Sequence, residues 1–483
     1  MLFLLINIIT NFIFSKSEKL IFTELLSRHG ARAPLSLNEK GEDLLGIQWG
    51  APGELTPIGK RMEYLLGLRN RERYIKRNER NESFLSEEFD PHELVVFSSD
   101  INRTLLSMQS QLQGLYPISP GKTDTFNPGQ NETSIPPINI SGIFDDLING
   151  TSLPNGMTII PIHYIVLKNT TPECQSKIKE FNLFNSKNKK EILDLVEEFN
   201  KNYSAALNSI YGKPENNKYN MSTINSICDT AIADNTEGKN ISDFLEKINA
   251  EKENFMKMCY EVLAINFRDY IFGDENNEVI LFYNSLIFRD MIKYMQARIE
   301  DDINGDKNKN NVSDYNTPKM VILSGHDTTL SAHEMFFIKF FKKEQILYKY
   351  PTYSSQISYE ITREDVEENL RTSLNYSNYN VIYYFNDELL LNITFDKFKK
   401  TVEENIWKGD RMDEFCFGKK EKPFMELELI IIIALGVLVF ALVIVMIILI
   451  VKLKKSKKKD IRINSADDNR LVDDKIMDED DEV

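Results

Sequence analysis

The sequence predicts an α/β protein: a three-layer sandwich around a mostly parallel central sheet, with an inserted, mainly helical cap and a single C-terminal transmembrane helix. Three observations predict it. Short apolar runs at residues 20–26, 94–97 and 319–323 read as buried strands, and each hands over to a turn that carries charged groups. Between the second and third of them, residues 117–275 turn first to proline and glycine punctuation and then to amphipathic stretches, as an insertion would. Finally, residues 429–451 hold no charge and no proline over 23 positions, long enough to cross a bilayer with some tilt.

Taken in order, residues 1–16 form an apolar run of Leu, Ile and Phe that resembles a secretory signal without its basic start. The strand at 20–26 then delivers Arg28-His29-Gly30-Ala31-Arg32-Ala33-Pro34. In open α/β sheets ligands bind beyond the carboxyl ends of the strands, and Gly30 lets backbone come close to one. Two guanidiniums four residues apart suit a tetrahedral oxyanion such as phosphate. A third arginine would be the better clamp between them, so His29 is read as a nucleophile or general base.

Thr56 and Pro57 open a helix with Met62, Leu65, Leu66 and Leu68 on one face. The basic cluster Arg69, Arg71, Arg73, Lys76, Arg77 and Arg80 reads as a solvated helix face. After the strand at 94–97 come Ser98-Ser99-Asp100 and then Leu105, Met108, Leu112 and Leu115 at helical spacing, which places Arg103 where strand passes to helix. A helix start with free amides beside an arginine is an anion site. Within 117–275 the clearest helical patterns are 178–199 and 244–267, and a further long helix covers 279–298. The strand into Gly325 is followed by His326-Asp327-Thr328-Thr329 and a helix through Leu330, His333, Phe336 and Phe337. The three charged strand ends converge only if their strands are parallel neighbours in one sheet.

That convergence describes a phosphoryl-transfer site that uses neither metal nor cofactor. Arg28, Arg32 and Arg103 spread the charge of the nonbridging oxygens, and His29, fixed in one tautomer, attacks phosphorus in line. Asp327 protonates the leaving alkoxide, and His326 donates to phosphate. His92, His163 and His333 have no such setting and are read as structural.

These stretches, with Glu54-Leu55-Thr56-Pro57-Ile58-Gly59, Ser99-Asp100-Ile101-Asn102-Arg103-Thr104 and Ser324-Gly325-His326-Asp327-Thr328-Thr329, resemble the histidine acid phosphatases, the lysosomal and prostatic branch above all. The resemblance runs in order from Ile21 to Cys416. It implies an α/β domain with a helical cap and hydrolysis of phosphate monoesters at acid pH through a phosphohistidine. It also implies His29 as nucleophile, Asp327 as proton donor, and Arg28, Arg32, Arg103 and His326 as phosphate ligands. The phosphoglycerate mutase branch has an acidic residue where this chain has Ala31. The inositol polyphosphate phosphatase branch has Ala and Glu after its second histidine, whereas in this chain Asp327 follows His326.

Compartment and partners follow from charge and spacing. A net charge of -15 argues against nucleic acid as a partner, so a pocket for phosphate must be assembled from a few arginines. Lys452, Lys454, Lys455, Lys457, Lys458 and Lys459 follow the apolar segment, which predicts a type I orientation with a cytoplasmic tail at 452–483. From Asp460 that tail is acidic and is expected to be disordered. Sequons at Asn81, Asn131, Asn139, Asn149, Asn169, Asn202, Asn220, Asn240, Asn311, Asn375 and Asn392 fit an extracytosolic chain. So do four cysteines, expected to pair as Cys174 with Cys416 and Cys228 with Cys259 among three possible pairings. The expected domains are an α/β body at 17–116 and 276–420, the cap at 117–275 and the span at 429–451. The expected location is the lumen of a lysosome-like or vacuolar compartment, or the cell surface. A homodimer has no supporting stripe in the sequence. Two other readings remain: a phosphatase acting on lipids such as lysophosphatidic acid, and a surface receptor whose phosphatase fold has lost activity.

Overall fold

The computed structural model describes residues 18–76, 83–117, 137, 153, 158–165, 176, 190–212, 218–273, 276–305, 317–341, 348–417 and 425–473. The expected signal at 1–16, Cys174, the sequons at Asn81, Asn131, Asn139, Asn149, Asn169 and Asn311, and the acidic end of the tail lie outside them.

One unit ends at Cys416 and is built on a sheet of seven strands. The strands are β1 (Glu18–Arg28), β2 (Leu94–Ser99), β3 (His163–Ile165), β4 (Met320–Gly325), β5 (Gln356–Glu364), β6 (Tyr379–Phe385) and β7 (Glu388–Thr394). Their order is β3-β2-β4-β1-β5-β6-β7. The strands that end in the three charged turns are therefore consecutive, and both contacts of β4, with β1 and with β2, are parallel. This is the arrangement that convergence of Arg28, Arg103 and His326 requires.

The sheet is mixed rather than mostly parallel, because β5, β6 and β7 continue from β1 in antiparallel pairs. For β6 and β7 the chain gives the reason. Asn386 and Asp387, which join β6 to β7, both have positive φ, at 47° and 67°, the conformation of a tight hairpin whose twist matches its strands. A connection so short permits only antiparallel pairing.

Alternate residues of β4 feed two separate cores. Val321 and Leu323 pack with α7 (Glu278–Asn304), α8 (Asp327–Phe340) and α9 (Phe395–Asn405), whereas Met320 and Ile322 pack with α1 (Pro57–Tyr74) and α2 (Asn102–Leu115). All four are at most 4% exposed, which is why this strand is apolar on both faces. Burying each side chain contributes roughly 1.5–3 kcal/mol. A third core lies among the helices α3 (Lys190–Tyr211), α4 (Met221–Thr236), α5 (Ser242–Lys247) and α6 (Lys252–Ile265), with Leu44, Leu45 and Ile47 of the loop after β1 packed against it. The helix expected over 244–267 is divided there, because Asn249 turns left-handed at φ 51° after α5 and the chain restarts at Lys252. The Cys228–Cys259 disulfide ties α4 to α6, as expected. Cys416, in α10 (Arg411–Phe417), is also disulfide-bonded.

Two glycine pairs set the position of the site. Gly67 on α1 and Gly114 on α2 let these helices touch backbone to backbone: a Cβ on Gly67 would lie 1.9 Å from the Gln111 carbonyl oxygen, and one on Gly114 would lie 2.1 Å from that of Tyr64. Gly67→Ala is expected to force α2 away and cost about 2–3 kcal/mol, read as a lower denaturant midpoint at unchanged m-value. Wild-type stability in that variant would show that the helices separate freely. The second pair is Gly30 and Gly59. The space beside Gly30 is filled by the Gly59 carbonyl oxygen, 2.3 Å from where a Cβ would stand, and not by room for a ligand as the sequence suggested. Gly30 thus seats the loop after β1 on the first turn of α1.

The second unit holds α11 (Met425–Asp473), of which residues 432–455 are long and apolar enough to cross a membrane. Helix continues past Asp460, where disorder was expected: extending a helix already nucleated by the apolar segment costs little per residue.

Candidate active site

All six residues picked from the sequence meet at the carboxyl end of β1, β2 and β4, around a cavity of about 740 Å³ lined by His29, Arg32, Arg103, His326 and Asp327 among others. Arg28, the last residue of β1, lies behind them and is 2% exposed.

His29 is equally buried, and its Nδ1 lies 2.8 Å from the carbonyl oxygen of Gly30. A carbonyl only accepts, so Nδ1 carries the proton and Nε2 keeps its lone pair. Burial, then the positive charge of Arg28, His326, Arg32 and Arg103, hold the imidazole well below its ordinary pKa. It therefore takes up a second proton only at lower pH than an ordinary imidazole. The ring sits 5.6 Å from that of His326 and 5.9 Å from that of Tyr353, centroid to centroid.

The backbone around it is clamped. Gly30 N donates to Ser107 Oγ on α2 at 3.1 Å, and His29 O accepts from Ser354 N at 3.3 Å. Ser354 adopts φ 58°, a strained choice for a residue with a side chain, and its hydroxyl donates to the buried Glu63 on α1. Burial pushes Glu63 up to about 8, so it accepts that bond as a neutral acid.

Three guanidiniums face this imidazole. Arg28 Nη1 donates to Tyr350 Oη at 2.9 Å and to the Pro351 carbonyl at 2.7 Å, and its Nη2 pairs with Asp327 at 2.8 Å. Arg32 Nη1 donates to Ala33 O at 3.1 Å, and its Nη2 meets both oxygens of Asp229 at 3.0 and 3.1 Å. Arg103 stands in the first turn of α2, with Nη2 3.4 Å from His326 Nδ1. The Nε–H of each arginine is buried without a hydrogen-bond partner among the described residues. Unpaired buried donors are costly, so three of them in one group of arginines leave it suited to an anion. Burial, then Arg32 beside it, depresses Arg103, the expected result of crowding like charges.

His326 caps α8 and directs Nε2 to Ser99 Oγ at 2.9 Å; Ser99 in turn meets Thr104 Oγ1 at 2.8 Å. Burial and Arg103 lower this imidazole to about 4. Asp327, the first residue of α8, accepts from Thr328 N at 2.9 Å. Burial alone would push its carboxyl up, but Arg28, Arg32, His326 and the Thr328 amide outweigh that and hold it below the ordinary carboxylate range. Both His29 and Asp327 are therefore shifted toward their unprotonated forms.

Sequence reasoning missed Asp229, Tyr350 and Tyr353. The two tyrosines sit in the loop before β5 and place their rings 5.3 and 4.5 Å from the Arg28 guanidinium. No periodic signal marks such a loop. Asp229 lies on a polar row with Ser222 and Ser226 on α4, visible as one face of an amphipathic helix, but what that face meets depends on tertiary packing. The structural readings of the other histidines agree with their settings: His333 is fully buried against Phe288, and His92 is exposed beside Asp90.

The profile of the Histidine phosphatase superfamily (branch 2) matches residues 19–376. Lysosomal acid phosphatase of Xenopus laevis is 34% identical over 122 residues, 25% of this chain and 26% of that protein. Testicular acid phosphatase of Homo sapiens is 37% identical over 109 residues, 22% of this chain and 24% of that protein. These alignments span about a quarter of the relatives' length. Among solved structures, Hafnia alvei phytase in complex with myo-inositol hexakis sulphate superimposes with a TM-score of 0.50 at 13% identity, covering 81% of this chain and 98% of that one, a likeness of fold.

Proposed function

The chain belongs to the histidine phosphatase superfamily, branch 2, and from that premise we propose that it is an acid phosphatase that hydrolyses phosphate monoesters through a phosphohistidine on His29. One observation carries the reading: Arg28, Arg32 and Arg103, each with a buried N–H that has no partner among the described residues, act together on the His29 imidazole, whose Nδ1 is committed to the Gly30 carbonyl and leaves Nε2 for attack. Arg28, Arg32 and Arg103 hold the nonbridging oxygens. His29 Nε2 attacks phosphorus as the ester P–O bond breaks, and Asp327 gives the departing oxygen its proton. Water then attacks the phosphohistidine, Asp327 takes a proton from it, the N–P bond breaks and inorganic phosphate leaves. His326 donates to phosphate once it gains a proton at Nδ1. The intact set of charged groups weighs against the inactive receptor, while Leu35, Leu44, Ile101, Leu263, Phe267 and Ile271 in the cavity wall would also accept an apolar leaving group.

An acid optimum follows from the signs of the shifts. His326 and Asp327 both release their protons easily in the free site, so the protons that catalysis needs arrive with a monoanionic substrate or are taken up as phosphate neutralises the arginines. As pH rises through about 6, where a phosphate monoester loses its second proton, kcat/KM is expected to fall up to tenfold per unit. On the acid side the depressed His29 charges later than an ordinary imidazole, so activity is expected to extend below the pH at which a free histidine would be protonated. The test is hydrolysis of glycerol 2-phosphate by the detergent-solubilised full chain at pH 4 to 7, with chelator, alongside trapping of an acid-labile phosphoenzyme mapped to His29. A profile that climbs toward pH 7, or a phosphoenzyme on another residue, counts against the assignment.

The same reading organises the rest of the chain. Residues 17–116 and 276–420 are assigned to the α/β body and the helices at 190–265 to its cap, supported by their own core, whereas His163–Ile165, expected in the cap, pairs with β2 in the body's sheet. The span at 432–455, the lysines at its end and the lysosomal relatives support a type I protein whose catalytic part faces a lysosome-like lumen.

A further inference from the structure

We propose that Asp229 restricts this site to substrates bearing a single phosphate group. The proposal rests on the phosphomonoesterase reading above and adds a substrate class to it.

Asp229 reaches the site from α4, and both its oxygens hold Arg32 Nη2, so the carboxylate is fixed where it stands and not free to swing away. It is itself part of the cavity wall, beyond the cluster around His29. The cations of that wall are Arg32 and Arg103, and both belong to the cluster that takes the scissile phosphate. The rest of the lining holds no lysine or arginine among the described residues. On the α4 side it offers the hydroxyls of Ser222, Thr223 and Ser226. A leaving group with neutral hydroxyls finds partners there. A second phosphate finds no cation and meets the Asp229 carboxylate instead. One unit charge a few ångströms away in a partly screened pocket shifts binding by about tenfold.

The experiment compares kcat/KM for glycerol 2-phosphate and for fructose 1,6-bisphosphate, using the detergent-solubilised full chain at pH 5 and low ionic strength. The unsubstituted protein is expected to favour the single phosphate by at least about tenfold. Asp229→Asn keeps the size of the side chain and removes its charge, and it should narrow that ratio by about the same factor. Ser226→Lys, an exposed position one turn from Asp229 on the same helix, should narrow it too, and this variant carries the test if Asp229→Asn does not fold. A merely structural defect lowers both substrates together and leaves the ratio in place. Equal use of the two substrates by the unsubstituted protein overturns the proposal, as does a ratio unmoved by either variant. Failure to hydrolyse either substrate overturns instead the phosphomonoesterase reading on which it stands.

Discussion

His29→Ala is expected to lower kcat by about five orders of magnitude, because it removes the atom that forms the bond to phosphorus. The rest of the site should survive. His29 makes its ring hydrogen bond to the neighbouring Gly30 carbonyl, and the three arginines are anchored elsewhere, to Tyr350, Pro351, Ala33, Asp229 and the first turn of α2. Inorganic phosphate should therefore still raise the thermal midpoint of the variant, which separates loss of chemistry from loss of fold. No phosphoenzyme should form with any ester. Turnover within tenfold of the unsubstituted protein would move the nucleophile to another residue.

Asp327→Asn is expected to cost about a thousandfold with an alkyl phosphate, within the usual range for a general acid. With an aryl phosphate, whose phenol departs without help, the loss should be far smaller. The amide keeps the bond from Thr328 N but loses its charge, so Arg28 Nη2, now paired with Asp327 at 2.8 Å, is released toward the anion. KM should fall along with kcat, the pattern of a group that acts in the transition state while competing with substrate in the ground state. Equal losses on alkyl and aryl esters would assign the proton to another donor, with His326 next in line.

Much of this arrangement was legible in the sequence because strands buried on both faces are hard to mistake. Residues 20–26, 94–97 and 319–323 each lie within or against a buried strand, and the polar turns that end them carried the chemistry. Their adjacency followed from the demand that charged ends meet, and the order β2-β4-β1 satisfies it. What the sequence hid was contributed from a distance. Asp229 faces Arg32 across 197 positions, and Tyr350 meets Arg28 across 322. Neither pair leaves a local trace. The antiparallel half was missed for another reason: its cue is the dipeptide Asn386-Asp387, which forms a hairpin only if both residues accept positive φ. The Gly67 and Gly114 crossing was invisible too, since a glycine within a helical pattern looks like a local weakness until its partner helix is known.

The placing of β4 also governs when the candidate site can be completed. β4 lies between β1 and β2, yet it is synthesised last of the three, from residue 320 onward. Until then the nascent chain has β1 and β2 with a gap where their shared neighbour belongs, and residues 326 and 327 have not been made. The helical segment around Cys228 and Cys259 can collapse on its own contacts during that interval, because its core is local. The sheet cannot. Assembly of the catalytic centre is thus a late, long-range closure, slow relative to helix formation and dependent on whatever keeps two apolar strand edges from pairing with other chains in the meantime.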